Sequence, residues 1–165
     1  MTPSGGLLNS YIETLSVQQT EEAAGYCAEL LKTGDVVFVA GGLGTGKTAF
    51  VRGACKALGV VDQVTSPTYT IGQLYTGPTP VAHVDLYRLD TLEPEDPALL
   101  DDYLTVDRVS FVEWPQHANE GWFDIDRVKL RVDIEFGPSG KGDGRLLRFT
   151  ADGDVIAELA LKLGG

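Results

Sequence analysis

The sequence predicts an α/β protein with a mixed sheet, because it contains strands of two different patterns and helical segments between them. Residues 36–40 are apolar at every position, as expected for a strand that is covered on both faces in a parallel sheet. Residues 127–136 alternate between apolar and charged side chains, which is typical of a strand with one solvent-exposed face. We therefore predict three layers around a sheet that is parallel in its centre and antiparallel at its margins.

Helical spacing of apolar residues predicts two helices in the first third of the chain. The first begins at Ser16, a favourable N-cap, and is expected to end at Gly34. The ten residues at the start of the chain are polar and rich in glycine, and we expect them to be flexible. The second helix follows Lys47 and is stopped by Gly59.

The rest of the chain alternates between short strands and turns. Residues 70–74 and 80–86 flank the Gly77-Pro78 turn and predict a hairpin. The remaining predicted elements are an acidic helix at 95–104, an apolar strand at 108–113, a strand at 145–150 and a final short element at 155–163.

Length and composition are those of a single globular domain over residues 1–165. The net charge of −11 argues against a protein that grips nucleic acid unaided. Seven acidic residues and no Lys or Arg lie between Asp90 and Asp107, so this segment is either solvated surface or a surface that orients a partner protein.

We expect a cytoplasmic protein, because there is no membrane-length apolar run and no secretory signal pattern. Cys27 and Cys55 lie in helical patterns and are expected to be buried thiols.

A phosphate-binding motif lies at the junction between the apolar strand and the second helix. Residues 41–48 read GGLGTGKT and match G-x-x-x-x-G-K-[ST], with the strand before it and the helix after it that the motif requires. An ordinary glycine-rich turn would not need Lys-Thr at the start of a helix. Glycine lets successive N–H groups point inward, Lys47 would supply charge for the β- and γ-phosphates, and the Thr48 hydroxyl could bind Mg²⁺. The predicted nucleotide-binding residues are Gly42, Leu43, Gly44, Thr45, Gly46, Lys47, Thr48 and Ala49.

Two acidic residues at the ends of predicted strands could complete a site for Mg²⁺ and phosphate, and with Lys47 they are the predicted catalytic residues. Glu113 closes an apolar strand in the pattern of a Walker B segment, although it could be an ordinary acid at a strand end. Asp85 could assist the metal or orient the attacking water, or it could be a structural partner of Arg88 or of a backbone N–H group. Ligands of open α/β sheets collect at the carboxyl ends of the strands, so both acids are expected near the phosphate loop.

Several nearby residues have two readings. Residues 66–69 could contact Mg²⁺ or the γ-phosphate as a switch, or their hydroxyls could cap a turn. Besides Lys47, Arg88 is the one built-in positive charge expected near the γ-phosphate, unless it is tied to an acid. Trp114 is expected in the core or at a rim, and His117 is expected to be a satisfied residue rather than a base.

The absence of an Asn-Lys-x-Asp guanine reader favours ATP over GTP. Five segments then carry a recognisable pattern, in chain order GDVV at 34–37, GLGTGKT at 42–48, SPTY at 66–69, HVDLYR at 83–88 and VEWP at 112–115. Together these segments resemble the TsaE family, formerly YjeE, which comprises bacterial ATPases of tRNA threonylcarbamoyladenosine biosynthesis. Gly42 and Thr45 depart from the residues frequent in the family, but neither departure removes a donor or a ligand.

The resemblance implies an ATPase that requires ATP and Mg²⁺ and acts with the proteins TsaB and TsaD. The TsaD partner would transfer the threonylcarbamoyl group to adenosine 37 of ANN-decoding tRNAs, and this chain would meet tRNA only through the complex. The same resemblance implies that Thr48 and Glu113 bind Mg²⁺, that Asp85 is needed for activity, and that Ser16 or Thr20 lies near the adenine.

Two other functions remain open from the residues. A small-molecule kinase would close an Arg-rich lid, but the only basic stretch, residues 127–148, reads as a strand and a turn. A nucleotide-gated binding module would keep the phosphate loop without hydrolysing ATP.

Overall fold

A computed structural model describes residues 6–67, 70–91, 97–119, 121–138 and 142–164. Seven strands form one sheet, and three α-helices pack against it. The strands are β1 (Leu7–Thr14), β2 (Val36–Gly41), β3 (Gly72–Tyr75), β4 (Val81–Asp85), β5 (Val109–Glu113), β6 (Val128–Phe136) and β7 (Arg145–Asp152). The helices are α1 (Val17–Ala28), α2 (Lys47–Ala57) and α3 (Gly153–Lys162).

The sheet has the mixed topology that the sequence predicts. Its strand order is β1-β7-β6-β2-β5-β4-β3. The four central strands, β6, β2, β5 and β4, are parallel, whereas β3 and the β7–β1 pair are antiparallel to their neighbours. The predicted α/β fold, parallel in the centre and antiparallel at the margins, is therefore confirmed, and so is the hairpin of β3 and β4.

The sheet is covered differently on its two faces. The larger apolar cluster joins α1, α2 and α3 to one face through residues such as Ala24, Phe50 and Leu159. The opposite cluster covers β2, β4 and β5 with loops and 3₁₀ turns that include Leu86, Leu100 and Phe123. On the helical face, α1 and α2 approach closely at Gly53, where a Cβ atom would lie 2.3 Å from the Glu21 carbonyl oxygen. The helix that follows the phosphate loop is thereby fixed against the rest of the fold.

Part of the segment that we expected to be flexible is a strand, and residues 1–5 of that prediction lie outside the described residues. Residues 7–10, which we expected to be flexible, belong to β1 and pair with β7 from Leu7↔Asp152 to Ser10↔Phe149. Their side chains gave no signal because β1 is an edge strand: Leu7 and Leu8 remain 70% and 53% exposed, and backbone pairing holds the strand.

The first helix is shorter than predicted. It begins after the Ser16 cap as expected but ends at Ala28, not at Gly34. The chain then tightens, with Leu30 N–H donating to the Cys27 carbonyl and Leu31 N–H to that of Ala28. Leu30 and Leu31 pack against the core from these turns. Because their apolar positions continue the helical spacing, the sequence pattern predicted a further turn of helix.

Two further predictions need correction. Residues 128–136 do not alternate faultlessly, because the register shifts where Val36 pairs with Val128 and Val37 with Leu130, so that Val128 packs on the opposite face from Leu130. The predicted acidic helix at 95–104 is a single 3₁₀ turn, Pro97–Leu100, followed by turns, and its first two residues lie outside the described part of the chain. Leu100 is buried beneath this turn and fixes it to the sheet.

The two cysteines are free thiols in the core, as predicted. Burial raises the pKa of both thiols, that of Cys55 to about 12, so neither is a reactive thiolate at neutral pH. Within the described residues, none of the helices combines the length and apolar character needed to cross a membrane.

Candidate functional site

The phosphate loop joins the end of β2 to the start of α2. Gly44 and Gly46 adopt left-handed conformations, with φ of 72° and 101°, so that the backbone curls around a hollow before the helix begins. A Cβ atom on Gly41 would lie 2.5 Å from the Ile134 carbonyl oxygen and 2.6 Å from Thr45 Oγ1. The loop is therefore seated directly on β6, and only glycine fits at its first position.

Lys47 is held inside this loop. Its side chain is buried, and Nζ donates to the carbonyl oxygens of Gly41 at 3.1 Å and Gly42 at 2.6 Å. The ammonium also lies 4.3 Å from the ring centroid of Trp114. Burial lowers the pKa of Lys47, and the negative charges of Glu113 and Asp85 oppose this shift.

Glu113 lies directly across from the phosphate loop. It ends β5, whose register pairs Glu113 with Val39 of β2, and its side chain is buried. Its Oε1 atom is 3.1 Å from Thr48 Oγ1, which donates to it, and 3.1 Å from His83 Nε2. The residues that the sequence pairs as metal ligands, Thr48 and Glu113, are thus in direct contact.

Asp85 ends the next strand, β4, and is paired in register with Glu113. Its carboxylate accepts hydrogen bonds from Ser66 Oγ at 2.9 Å and from the Tyr87 N–H group at 3.0 Å. Of the alternatives for Asp85, a backbone N–H partner is therefore present, although the same side chain also lines the cleft. Arg88 is exposed in the 3₁₀ turn Tyr87–Thr91, and its place near a phosphate stays a prediction.

These groups surround an open cleft of about 370 Å³. The cleft lies at the carboxyl ends of β2, β5 and β4, where ligands of open α/β sheets collect. Ser66 is the described residue of the predicted switch that reaches it, and Thr68 and Tyr69 lie outside the described part of the chain. The lining residues are Leu43, Gly44, Gly46, Lys47, Thr48, Ala49, Ser66, Asp85, Tyr87, Glu113 and Trp114.

The oxygen atoms of Thr48 and Glu113 fit a magnesium ion. Mg²⁺ prefers hard oxygen ligands and is usually held by one or two side chains together with water and phosphate oxygens. Within the described residues, no group of three or more His, Cys, Asp or Glu side chains is placed to hold a metal ion.

An aromatic cluster forms one wall of the cleft. The Trp114 ring lies 4.9 Å from that of Tyr87 and 5.1 Å from that of His117, measured between centroids. Trp114 has a left-handed backbone, with φ of 57°, which is strained for a bulky residue and turns its ring toward Lys47. Trp114 is thus a rim residue, and His117 is satisfied through Nδ1 by the Leu86 and Tyr87 carbonyls, as the sequence predicts.

Arg145 supports the phosphate loop from its outer side, and the sequence analysis missed it. Its Nε donates to the Thr45 carbonyl at 2.6 Å and its Nη2 to that of Gly44 at 3.3 Å. The guanidinium lies 4.9 Å from the centroid of the exposed Phe136 ring. No motif marks this arginine, since the contact spans about a hundred residues and depends on β7 pairing with β6.

Thr20 lies beside the loop rather than inside the main cleft. It is buried, and its hydroxyl is 2.7 Å from that of Thr14. It borders a small depression with Thr45, Gly46 and Arg145, next to the outer edge of the phosphate loop. Its predicted place near the adenine stays a prediction.

Comparisons with known proteins agree on one family. The model for "Threonylcarbamoyl adenosine biosynthesis protein TsaE" matches residues 14–141. The tRNA threonylcarbamoyladenosine biosynthesis protein TsaE of Bacillus subtilis is 35% identical over 151 residues, which are 91% of this chain and 90% of that protein. The protein of the same name from Streptomyces coelicolor is 41% identical over 114 residues, 67% of this chain and 76% of that protein.

A solved structure has a similar fold along its whole length. The crystal structure of YdiB from Bacillus subtilis superposes with a TM-score of 0.70 at 28% identity, covering 98% of this chain and 97% of that one.

Proposed function

Because the chain belongs to the TsaE family of tRNA threonylcarbamoyladenosine biosynthesis proteins, we propose that it is the subunit that binds and hydrolyses ATP for this modification. The observation that carries the proposal is the convergence of the phosphate loop, the Thr48–Glu113 pair and Asp85 on one cleft at the carboxyl ends of three adjacent strands. A phosphate cradle, oxygen ligands for Mg²⁺ and a further acid are the parts that ATP hydrolysis requires.

In this proposal the phosphate loop binds the ATP phosphates through its N–H groups, and Lys47 exchanges the carbonyl oxygens of Gly41 and Gly42 for phosphate oxygens. The exchange is feasible because Lys47 borders the cleft and its present partners are neutral carbonyl groups. Thr48 and Glu113 would hold Mg²⁺, which would supply neutralisation of phosphate charge. Asp85 orients the attacking water, and its bond to Ser66 links it to the segment that follows α2.

We further propose that hydrolysis is slow in the isolated chain and is accelerated by TsaB and TsaD in the cytoplasm. The described lining of the cleft contains Lys47 but no arginine, and a hydrolysing site of this kind gains much of its rate from an arginine that stabilises the transition state. The acidic charge of the chain suits contact with partner proteins, with tRNA held by the complex.

The small-molecule kinase is less well supported than the ATPase. In the described residues, the basic stretch 127–148 forms β6 and β7, and its arginines bind backbone carbonyls or Asp133. A lid that closes over phosphates would need such residues on a segment free to move.

The decisive experiment compares the rate of phosphate release by the chain alone with the rate in the presence of TsaB and TsaD. We expect a marked acceleration, and we expect Glu113→Ala to lose Mg²⁺-dependent hydrolysis while retaining most nucleotide affinity. If single-turnover assays with both partners release no phosphate, the chain is a non-hydrolysing binding module.

The acidic surface can be tested separately. Asp101 and Asp102 are exposed within the acidic segment Asp90–Asp107, and replacing both with lysine should weaken association with TsaB and TsaD, most strongly at low salt. An unchanged salt-dependent pull-down would exclude this surface from the contact.

A further inference from the structure

His83 is a fully buried polar residue behind the candidate site. It lies in the middle of β4, pairs in register with Phe111 of β5, and has no exposed surface. Val81, which lies two residues earlier on the same face of β4, and the register partner Phe111 are also buried, so the surroundings would suit an apolar side chain. A buried imidazole at this place therefore needs an explanation.

The hydrogen bonds of His83 point to one partner. Nε2 lies 3.1 Å from Glu113 Oε1, the same oxygen that accepts the Thr48 hydroxyl at 3.1 Å. A carboxylate oxygen can only accept, so Nε2 carries the hydrogen. Nδ1 is buried and has no hydrogen-bond partner among the described residues, which fits a bare lone pair at this nitrogen.

This arrangement is costly for the fold alone. An unsatisfied buried polar atom is destabilising, and an apolar side chain of similar size would avoid this cost. What His83 adds is a second, fixed donor to Glu113, from a residue that is not among those lining the cleft. With Thr48 and His83 both bonded to Oε1, the carboxylate cannot rotate freely about its last bond.

We propose that His83 is a positioning residue that holds the Glu113 carboxylate in the orientation needed to bind Mg²⁺ together with Thr48. The inference rests on the proposed function, because it takes Glu113 as a metal ligand. Hydrogen bonds that orient a metal ligand typically change metal affinity or activity about 10- to 100-fold when removed. His83 acts through Glu113 and does not touch the nucleotide.

The test uses two substitutions of nearly equal shape. In His83→Gln the side-chain amide can still donate at the position of Nε2, whereas His83→Met has similar length and no donor. Binding of a non-hydrolysable ATP analogue is measured by calorimetry over a series of Mg²⁺ concentrations and in EDTA, with melting temperatures recorded in EDTA.

We expect His83→Met to raise the Mg²⁺ concentration for half-maximal enhancement of binding about tenfold, with affinity in EDTA unchanged. His83→Gln should lie within about threefold of the natural protein, because it restores the donor. A merely structural role would lower the melting temperature without separating the two variants in their Mg²⁺ dependence.

Three results would overturn the inference. The first is a His83→Met variant whose nucleotide binding depends on Mg²⁺ as in the natural protein. The second is an equal change, in the Gln and Met variants, of the Mg²⁺ concentration for half-maximal enhancement. The third is nucleotide binding by the natural protein that does not depend on Mg²⁺. If His83→Met does not fold, His83→Asn replaces it, since its shorter amide cannot reach Glu113 and should give the same tenfold shift. Absence of ATP hydrolysis with TsaB and TsaD would defeat the proposed function but leave this binding measurement intact.

Discussion

At each end of the central parallel strands, a positively charged side chain donates hydrogen bonds to backbone carbonyl groups, but the two side chains are held differently. At the amino end, Arg127 donates to the carbonyl oxygens of Gly34 at 2.8 Å, Leu104 at 2.7 Å and Thr105 at 3.1 Å. At the carboxyl end, Lys47 donates to the carbonyls of its own loop and borders an open cleft.

The difference distinguishes a structural cation from one available to a ligand. Arg127 joins three separate chain segments, so its removal would release contacts that hold the fold together. Among the described residues, the Lys47 ammonium donates hydrogen bonds to the carbonyls of two adjacent residues of one loop, and its burial is a cost that binding of an anion would offset. Arg145 lies between these extremes, because it binds the loop but from the side away from the cleft.

The largest effect is expected for Lys47→Met. We expect nucleotide affinity to fall at least a hundredfold, about 3 kcal/mol, because the loop loses its charge for the phosphates. Stability of the nucleotide-free chain should stay equal or rise, since a buried ammonium is removed. Calorimetry and chemical denaturation check both parts, with Lys56→Met, an exposed lysine of the same helix, as the control. Unchanged affinity would place Lys47 among the structural cations.

Arg127→Met should reverse this result. Loss of charged donors to three carbonyls should lower the free energy of unfolding by about 2 kcal/mol while nucleotide affinity stays the same. The matched control is Arg131→Met on β6, the strand that Arg127 precedes; its guanidinium binds the neighbouring Asp133 near the surface and should contribute less than about 1 kcal/mol. Weaker nucleotide binding in Arg127→Met would mean that the two ends of the sheet are coupled.

Arg145→Met tests the intermediate case. The carbonyls of Thr45 and Gly44 would lose their donors, so the loop would have to be ordered when the nucleotide binds, and we expect about a tenfold loss of affinity. Arg145→Lys should recover part of this loss, because a single ammonium cannot reproduce the two-point contact of the guanidinium. Equal nucleotide affinity of the Lys and Met variants would show that a positive charge alone does not recover the affinity lost with Arg145.

The smallest effect concerns pH. The lowered pKa of Lys47 means that the folded chain releases this proton at a lower pH than the unfolded chain. Unfolding free energy therefore contains a contribution that rises with pH above the lowered pKa and levels off above the ordinary pKa of lysine, about 10.4. Lys47→Met lacks this contribution. As the pH rises from 7 to 10, the natural chain should therefore gain unfolding free energy relative to Lys47→Met, as measured by chemical denaturation. A constant difference would contradict it.

The sequence predicted the parts of the molecule whose chemistry is local. The strand before the phosphate loop, the helix after it and the acid at the end of β5 each carry their own pattern, so their meeting at one edge of the sheet could be inferred. Arg145 and His83 could not be assigned, because each acts on a partner that only the sheet register brings near. The edge strand β1 escaped notice for a related reason, since backbone pairing leaves no trace in side-chain pattern.

The pairing of β1 with β7 has a practical consequence for anyone who shortens the chain. Removal of residues 1–10 would delete four of the eight register pairs between β1 and β7, those of Leu7 to Ser10. It would leave the half of β7 after Arg148 without its pairing strand. That half carries the core residues Phe149 and Ala151. The shortened protein would therefore expose an unpaired strand edge beside apolar side chains, which promotes association with other chains. Purification tags at the beginning of the chain therefore belong ahead of Leu7, with a spacer, and never in place of the first ten residues.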